Sequence, residues 1–321
     1  MKYVFVLNPS AGKKNNAKRQ FENVRDYFDT QHIPYSVTFT KYPGHATEIT
    51  RKAGEAGEEV RVIAVGGDGT LCEVANGAIG YPNVTVGLLP GGSGNDFVKM
   101  FGTVDDFHDP ERMVNGTAYP VDMIHSKQRD AMNICCAGID ATVAYNMNHY
   151  RRMPLVSGSM AYNLAIAQAF TGRIGNQIQV TVDGEVVADG RYLLSAVANG
   201  RCYGGGYFAS PDSMIDDGVL DVIMVKVPKT RLQIPGLLSV YKTGAHLHDE
   251  RYAPLVEVYH GKKVCIKGTK ALNFTADGEC DQAVKREFEV VHHAIRFLVP
   301  QGCRTDCLMN VAEAEKTEAT V

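Results

Sequence analysis

The residues with evident chemistry in this chain are carboxylates set among glycines. Three such turns fall in the first half: Asn8-Pro9-Ser10-Ala11-Gly12-Lys13-Lys14, Gly66-Gly67-Asp68-Gly69-Thr70 and Pro90-Gly91-Gly92-Ser93-Gly94-Asn95-Asp96. Glycine lets backbone amides approach a ligand with no Cβ in the way, and a helix that follows adds unpaired N–H groups, so such turns suit phosphate. Asp68 precedes a helix, where a carboxylate gains from the helix dipole or can hold Mg²⁺ against phosphate oxygens. Lys13 and Lys14 are either phosphate contacts or solvated turn residues. Local structure offers simpler roles too: Thr70-x-x-Glu73 reads as a capping box, and Ser93-x-x-Asp96 as a similar helix start. Neither a Gly-x4-Gly-Lys-Ser/Thr loop nor a Gly-x-Gly-x-x-Gly turn after the first strand is present.

The elements that must position these turns are legible as periodicity. Runs rich in Val, Ile and Tyr at Tyr3–Leu7, Tyr35–Phe39, Val60–Val65 and Val84–Leu88 read as buried strands. Asn16–Thr30, His45–Ala56 and Thr70–Ile79 between them have helical patterning, with Leu71, Val74, Ala75, Ala78 and Ile79 on one face. This alternation implies a parallel sheet covered by helices, an α/β domain over residues 1–125, with the three turns along the edge where ligands bind. From residue 126 to 300 the pattern becomes mainly antiparallel β. Gln177–Val182 alternates into a hairpin signal at Asp183-Gly184. Strand-like runs follow at Tyr192–Ala198, Val219–Val227, Val256–Tyr259, Lys263–Lys267 and Glu287–Val291. Helix-like segments fall at Ser159–Phe170 and Leu232–Thr243. Residues 301–321 read as a tail, frayed over its last dozen residues.

Composition excludes several classes. A length of 321 residues favours two domains, and 45% hydrophobic residues argue for a folded chain. With 33 Lys+Arg against 36 Asp+Glu there is no basic field to collect nucleic acid. No run approaches the roughly 20 apolar residues of a membrane span, and neither a signal peptide nor a lipidation motif is visible. The eight cysteines lack zinc spacing and suit reduced, buried thiols of a cytoplasmic protein. The histidines, including His45, His246/His248 and His292/His293, show no pairing on one helical face, which argues against metal binding.

Asn8 to Gly12, Gly66 to Glu73, Asn76-Gly77 and Leu89 to Phe97 resemble the diacylglycerol kinase catalytic domain family. Within it the likeness is to the soluble bacterial lipid kinases, relatives of the sphingosine and ceramide kinases. Asn199, Tyr203 to Gly206, Pro211, Asp216 to Asp221 and Asp277-Gly278-Glu279 continue in the family's order, so the likeness spans roughly residues 1 to 300. The Gly66–Thr70 motif alone is shared with NAD kinases. The resemblance implies a nucleotide domain, a C-terminal β-sandwich and an active site in the cleft between them. It implies an ATP site formed by Asn8, Pro9, Ser10, Ala11, Gly12, Thr40, Gly66, Gly67, Gly69, Thr70, Glu73, Ser93, Asn95 and Asp96. Asp68 would act in catalysis, and the base would be Asp277 or Glu279. Asp217, with main-chain oxygens of Met214 and Val219, would form a structural Mg²⁺ site. Cys72 stands where many relatives have Asn or His, a change of polarity near the acceptor, and Ser93 where many have Thr.

The chain is thus expected to be an ATP- and Mg²⁺-dependent kinase of a lipid hydroxyl, diacylglycerol or a related lipid, in phospholipid metabolism. The alternatives are an NAD-kinase-like enzyme with a soluble acceptor and a non-catalytic nucleotide-binding regulator. Asp-Gly-Glu occurs twice. Asp183-Gly184-Glu185 is explained by a hairpin, whereas no clean alternating strand directly follows Asp277-Gly278-Glu279. The methionines, among them Met147, Met153 and Met160, read as core filler. Moving a ~16-carbon chain into water costs on the order of 12 kcal/mol, so a lipid must be met at a bilayer or given a pocket. Arg151, Arg152, Met153, Leu155 and Val156 suggest transient docking at the inner face of the membrane. Edge strands permit a homodimer without requiring one.

Overall fold

The computed structural model describes residues 1–12, 16–150, 153, 160, 164, 165, 168 and 174–309, the side chains of 148 and 149 excepted. Lys13, Lys14, most of the proposed docking segment (Arg151, Arg152, Leu155, Val156) and most of the expected helix Ser159–Phe170 lie outside the described residues.

The first half follows its periodicity. Strands β1 (Lys2–Leu7), β2 (Tyr35–Phe39), β3 (Val60–Gly66) and β4 (Val84–Pro90) alternate with helices α1 (Asn16–Thr30), α2 (His45–Glu55) and α3 (Asp68–Ala78). The strands pair in parallel in the order β2-β1-β3-β4. Helix α1 buries Ala17, Phe21, Val24 and Phe28 at helical spacing, and Phe28 meets the Tyr3 and Phe5 rings edge-on. Both expected helix starts differ from the local reading. Helix α3 begins at Asp68 with Gly67 as N-cap, and no capping box forms. Thr70 Oγ1 accepts from Asn8 Nδ2 at 2.9 Å, and Glu73 accepts from Ala46 N at 3.3 Å, tying α3 to α2. After Asp96 the chain makes only the short 3₁₀ turn Phe97–Met100, whose amides are met by Asp68 rather than Ser93. Tertiary partners take the oxygens that a local cap would use.

The second half is built from β5 (Thr117–His125), β6 (Ile134–Gly138), β7 (Asn176–Val182), β8 (Glu185–Ala198), β9 (Leu220–Lys226), β10 (Val256–Gly261), β11 (Lys263–Ala276) and β12 (Glu279–Val299). Helix α4 (Pro110–Val114) precedes them, α5 (Ile139–Tyr150) follows β6, and α6 (Ile234–Thr243) follows β9. The path runs β10-β9-β8-β6-β11-β12, antiparallel throughout, with β7 pairing both β8 and β11. The architecture is therefore an α/β domain joined to a mainly antiparallel sandwich-like domain. Strands β5 and β6 escape sequence periodicity. The first contains Pro120, which ordinarily argues against a strand, and the second is only five residues long.

Strand β12 is far longer than the run Glu287–Val291 suggests. It pairs with β11, pairs antiparallel with β5 on both sides of an irregularity between Val291 and Ile295, and ends parallel with β4. Its end belongs to the α/β domain: Phe297 packs on Phe97 and Phe101 at ring distances of 5.1 and 5.6 Å. Residues 301–309 are not a loose tail. Cys307 and Leu308 are buried, Arg304 N donates to Phe101 O, and Met309 N donates to Asp216 Oδ1. Leu308→Ala is expected to lower unfolding free energy by about 2–5 kcal/mol in urea titration, whereas Leu232→Ala, 91% exposed, changes it by about 0.5 kcal/mol or less.

Candidate active site

The turns after β1, β2, β3 and β4 open onto one cleft of about 1050 Å³, whose opposite wall comes from the second domain. Their packing explains the glycines. Gly91 N donates to Gly66 O at 2.6 Å, and a Cβ on Gly67 would stand 2.9 Å from the Gly92 Cα. Gly12, at φ 67°, faces the Gly91 carbonyl so closely that any side chain would displace it. Three stretches of backbone are thus stacked in direct contact, and their amides share one edge. Of the expected nucleotide residues, Asn8, Pro9, Ser10, Ala11, Gly12, Thr40, Gly67, Gly69, Thr70, Glu73, Ser93 and Asp96 line the cleft. Gly66 and Asn95 do not. Gly66 supplies the carbonyl just described, and Asn95, at φ 50°, folds its amide onto both main-chain groups of Gly92. These two shape the cradle from behind. Lys41, Tyr42 and Pro43 also line this end, with no motif to announce them.

Two carboxylates meet beneath the turns. Asp68 Oδ1 accepts from Asp96 N at 2.7 Å and from Phe97 N at 3.4 Å. Its Oδ2 faces Gly94, where a Cβ would stand 2.8 Å from it and 3.3 Å from Asp96 Oδ2. Asp96 is buried, ion-paired to Lys99 at 2.6 Å, and accepts from Gly205 N at 2.8 Å, so it also fastens the second domain's Tyr203–Gly206 turn. Dehydration, then the neighbouring Asp96, pushes Asp68 up to about 6. Two acidic oxygens converging on a glycine form a donor set suited to a hard cation.

Both Asp-Gly-Glu sequences are two-residue hairpin turns with two left-handed residues: Asp183 and Gly184 at φ 48° and 94°, Asp277 and Gly278 at 46° and 88°. A long strand does follow the second, contrary to the sequence pattern. What separates them is location, since only Asp277 and Glu279 line the cleft. Asp277 accepts from Met132 N, Asn133 N and Ile134 N at 2.6, 3.1 and 3.1 Å. Dehydration raises it even so. Glu279 is exposed at the mouth, 3.5 Å from Arg129, a residue the sequence did not single out. Cys72 is buried behind Asp277 rather than lining the cleft, and burial holds it as a neutral thiol.

Beyond Asp277 the cleft becomes apolar, lined by Ile139, Val143, Ala144, Met147, Leu193, Leu194, Val225, Leu237 and Leu238. Met147 is thus a wall of this chamber and not core filler.

The Asp216-Asp217-Gly218 turn lies away from the cleft. Asp217 Oδ1 accepts from Val219 N at 3.0 Å, and dehydration followed by nearby carboxylates raises its pKa. A carboxylate crowded by Asp221, Asp122 and Asp216 is of the chemistry that a hard cation takes. Sequence reasoning missed Asp122. Fully buried, it accepts from Gly218 N, His293 N and His292 Nδ1 at 2.6, 2.6 and 2.9 Å. Its ligand atom and those of His292 and His293 lie within 4.8 Å of one another, a grouping that helical spacing did not foresee.

Residues 2–126 match the model of the diacylglycerol kinase catalytic domain, and residues 133–299 that of the YegS C-terminal NAD kinase beta sandwich-like domain. The chain belongs to the lipid kinase family built from these two domains. It is 24% identical over 300 residues to the diacylglycerol kinase of Bacillus subtilis, covering 92% of this chain and 95% of that one. It is 28% identical over 248 residues to a Shewanella frigidimarina protein named "Probable lipid kinase YegS-like", covering 76% and 77%. A solved diacylglycerol kinase of Bacillus anthracis superposes with a TM-score of 0.67 at 19% identity, over 94% of this chain and 97% of that one, and so shares the fold. No helix among the described residues is long and apolar enough to cross a membrane.

The raised Asp68 makes a stability prediction. An aspartate near 4 when unfolded and about 6 when folded binds its proton more tightly in the fold, so its contribution is present below pH 4 and lost as pH rises through 6. The shift corresponds to on the order of 3 kcal/mol. Asp68→Asn keeps the accepting Oδ1. It is expected to raise the melting temperature of cation-free protein at pH 7.5 and to change it little at pH 4, while abolishing turnover.

Proposed function

We propose that this protein transfers the γ-phosphoryl group of ATP to the hydroxyl of a lipid, diacylglycerol or a relative of it, in phospholipid metabolism. One observation carries the reading: a single cleft is glycine- and carboxylate-lined at one end and apolar at the other, and the two environments meet at Asp68, Asp277 and Glu279. Backbone amides of the three turns bind the phosphates, and Thr40, Lys41 and Tyr42 border the space left for the base. Asp68 and Asp96 would hold Mg²⁺, which would supply positive charge to offset that of the phosphates.

The lipid oxygen forms its bond to γ-phosphorus as the bond from that phosphorus to the β–γ bridging oxygen breaks, and ADP departs. The hydroxyl proton goes to a carboxylate, and hydrogen bonding distinguishes the two candidates. Asp277 is engaged by three main-chain amides and anchors the start of β6. Glu279 has a single long ion pair to Arg129 and is the proton acceptor in this reading. Asp217, with the Met214 and Val219 carbonyls, would hold a second, structural Mg²⁺. The apolar chamber gives the acyl chains a place to leave the bilayer, which an acceptor such as a dinucleotide does not need.

The test uses γ-labelled ATP, Mg²⁺ and mixed lipid vesicles, followed by extraction into chloroform. Label is expected in the organic phase. Glu279→Gln is expected to lower kcat by about 10²- to 10⁴-fold with an unchanged melting temperature. Asp277→Asn is expected to lower the melting temperature as well, because Asn cannot accept from all three amides equally well. No organic label with any lipid, from protein that binds ATP, would overturn the reading.

A further inference from the structure

A second cavity, of about 180 Å³, opens beside the reaction centre, between the turn end of the β11–β12 hairpin and the segment that leaves β5. Arg129, Thr275 and Glu279 line both this cavity and the main cleft. Phosphoryl transfer leaves it without a role. In its wall stands Arg286, only 7% exposed. The guanidinium lies over the Phe274 ring at 5.1 Å, and its Nη2 donates to Asp281 Oδ1 at 2.6 Å. Its Nε is buried and has no hydrogen-bond partner among the described residues. A guanidinium sunk this far with a donor unmatched is destabilising, and a methionine would cover Phe274 without that penalty.

The charges around the cavity differ in how firmly they are held. Arg286 faces Asp281, and Arg129 faces Glu279 at 3.5 Å. The carboxylates are the loose partners, since the side chains of Asp281 and Glu279 are 44% and 68% exposed, against 7% for Arg286 and 34% for Arg129. Pairs with so exposed a partner contribute little, and a surface carboxylate that turns away is met by water. Two guanidiniums then remain on one small cavity, with Ser126 and Gln128 in the same wall. Forks of N–H donors match the oxygens of a phosphate, which a guanidinium meets in bidentate fashion. With about one-sixth of the volume of the main cleft, the cavity takes a phosphate group and the first carbons of its ester but no acyl chain.

We propose that this cavity is a second phosphate site, separate from the nucleotide cradle, in which Arg286 and Arg129 bind the phosphate group of the newly phosphorylated acceptor or free phosphate. Arg286 is the fixed ligand, held against Phe274. Arg129 is the movable one, because it lines both cavities and exchanges Glu279 for the incoming phosphate. The choice of ligand rests on the lipid-kinase reading above, since transfer at Glu279 makes a phosphate monoester within reach of Arg129. A product seated here keeps Arg129 from Glu279, and the pair re-forms when the phosphate leaves.

Calorimetry with inorganic phosphate, glycerol 3-phosphate and dioctanoyl phosphatidate compares wild type, Arg286→Met and Gln128→Glu, each with ADP saturating the nucleotide end. Gln128→Glu adds a negative charge at the exposed rim and keeps the oxygen that the Ser126 hydroxyl meets at 3.1 Å, so its melting temperature is expected to be unchanged. Both variants are expected to weaken inorganic phosphate by about 10-fold or more. Phosphatidate bound more tightly than inorganic phosphate, with the same loss in the variants, makes the lipid product the source. Equal binding of all three makes free phosphate the ligand. No phosphate bound by wild type, or binding that Gln128→Glu leaves unaltered, removes the site. If ADP does not bind, or no lipid is phosphorylated in the chloroform assay, the lipid-kinase reading falls, and the loss of phosphate binding in Gln128→Glu still decides this cavity.

Discussion

Strand β12 is shared by the two halves of the molecule, and the geometry of the cleft depends on that sharing. Its first residue, Glu279, stands in the cleft, and its far end pairs with β4 at Thr85 and Val86, the strand that delivers the Pro90–Asp96 turn. Glu279 and the Pro90–Asp96 turn are therefore carried by neighbouring strands of one hydrogen-bonded network. Phe297 extends the coupling by packing on Phe97 and Phe101, directly behind Asp96. A strand that passes from one domain's strands to the other's within one continuous sheet must bend, and the irregularity between Val291 and Ile295, with β5 paired on both sides of it, is where the register shifts. Asp122 meets that need: it accepts from the His293 amide at the bend and from Gly218 N in the Asp217 turn. The bend and the expected structural cation site are thus braced by one buried carboxylate.

The cleft is less stable than it would be if only folding mattered. Asp68 and Asp96 are held close together, with Lys99 bonded to Asp96 and Asp68 raised by dehydration and by that neighbour. Their second oxygens flank Gly94, where even one methyl group would intrude. Such an arrangement would become favourable with a cation and phosphates bound, as proposed above.

How far the sequence could be read is clear from pairs of similar motifs. Asp183-Gly184 and Asp277-Gly278 adopt the same turn, and no local rule tells which lies in a cleft. The family order of motifs pointed to the second, and the structure shows why, because β6 and the Met132–Ile134 amides meet only that one. Thr70 and Glu73 have the spacing of a capping box, yet Asn8 and Ala46 take their oxygens. Asn95 sits within a phosphate-type turn but spends its amide on Gly92. Asp122 and Arg129 carry no motif, and nothing in the sequence near them separates them from ordinary strand and loop residues.

The sequence alone determined the local elements of the first half, the three glycine turns and the two-part α/β and β organisation. Each of these follows from spacing within a few residues: a period of two or 3.6, or a φ that only glycine adopts freely. Tertiary structure decided the rest. It set which carboxylates share a cavity, which methionines face it, how β12 joins the strands of both domains and how residues 301–309 are pinned. Those outcomes depend on pairing across 100 or more residues, as in Gly205 N to Asp96 or His293 N to Asp122. Burial at such a junction, rather than residue type, gives an aspartate such as Asp68 its protonation behaviour.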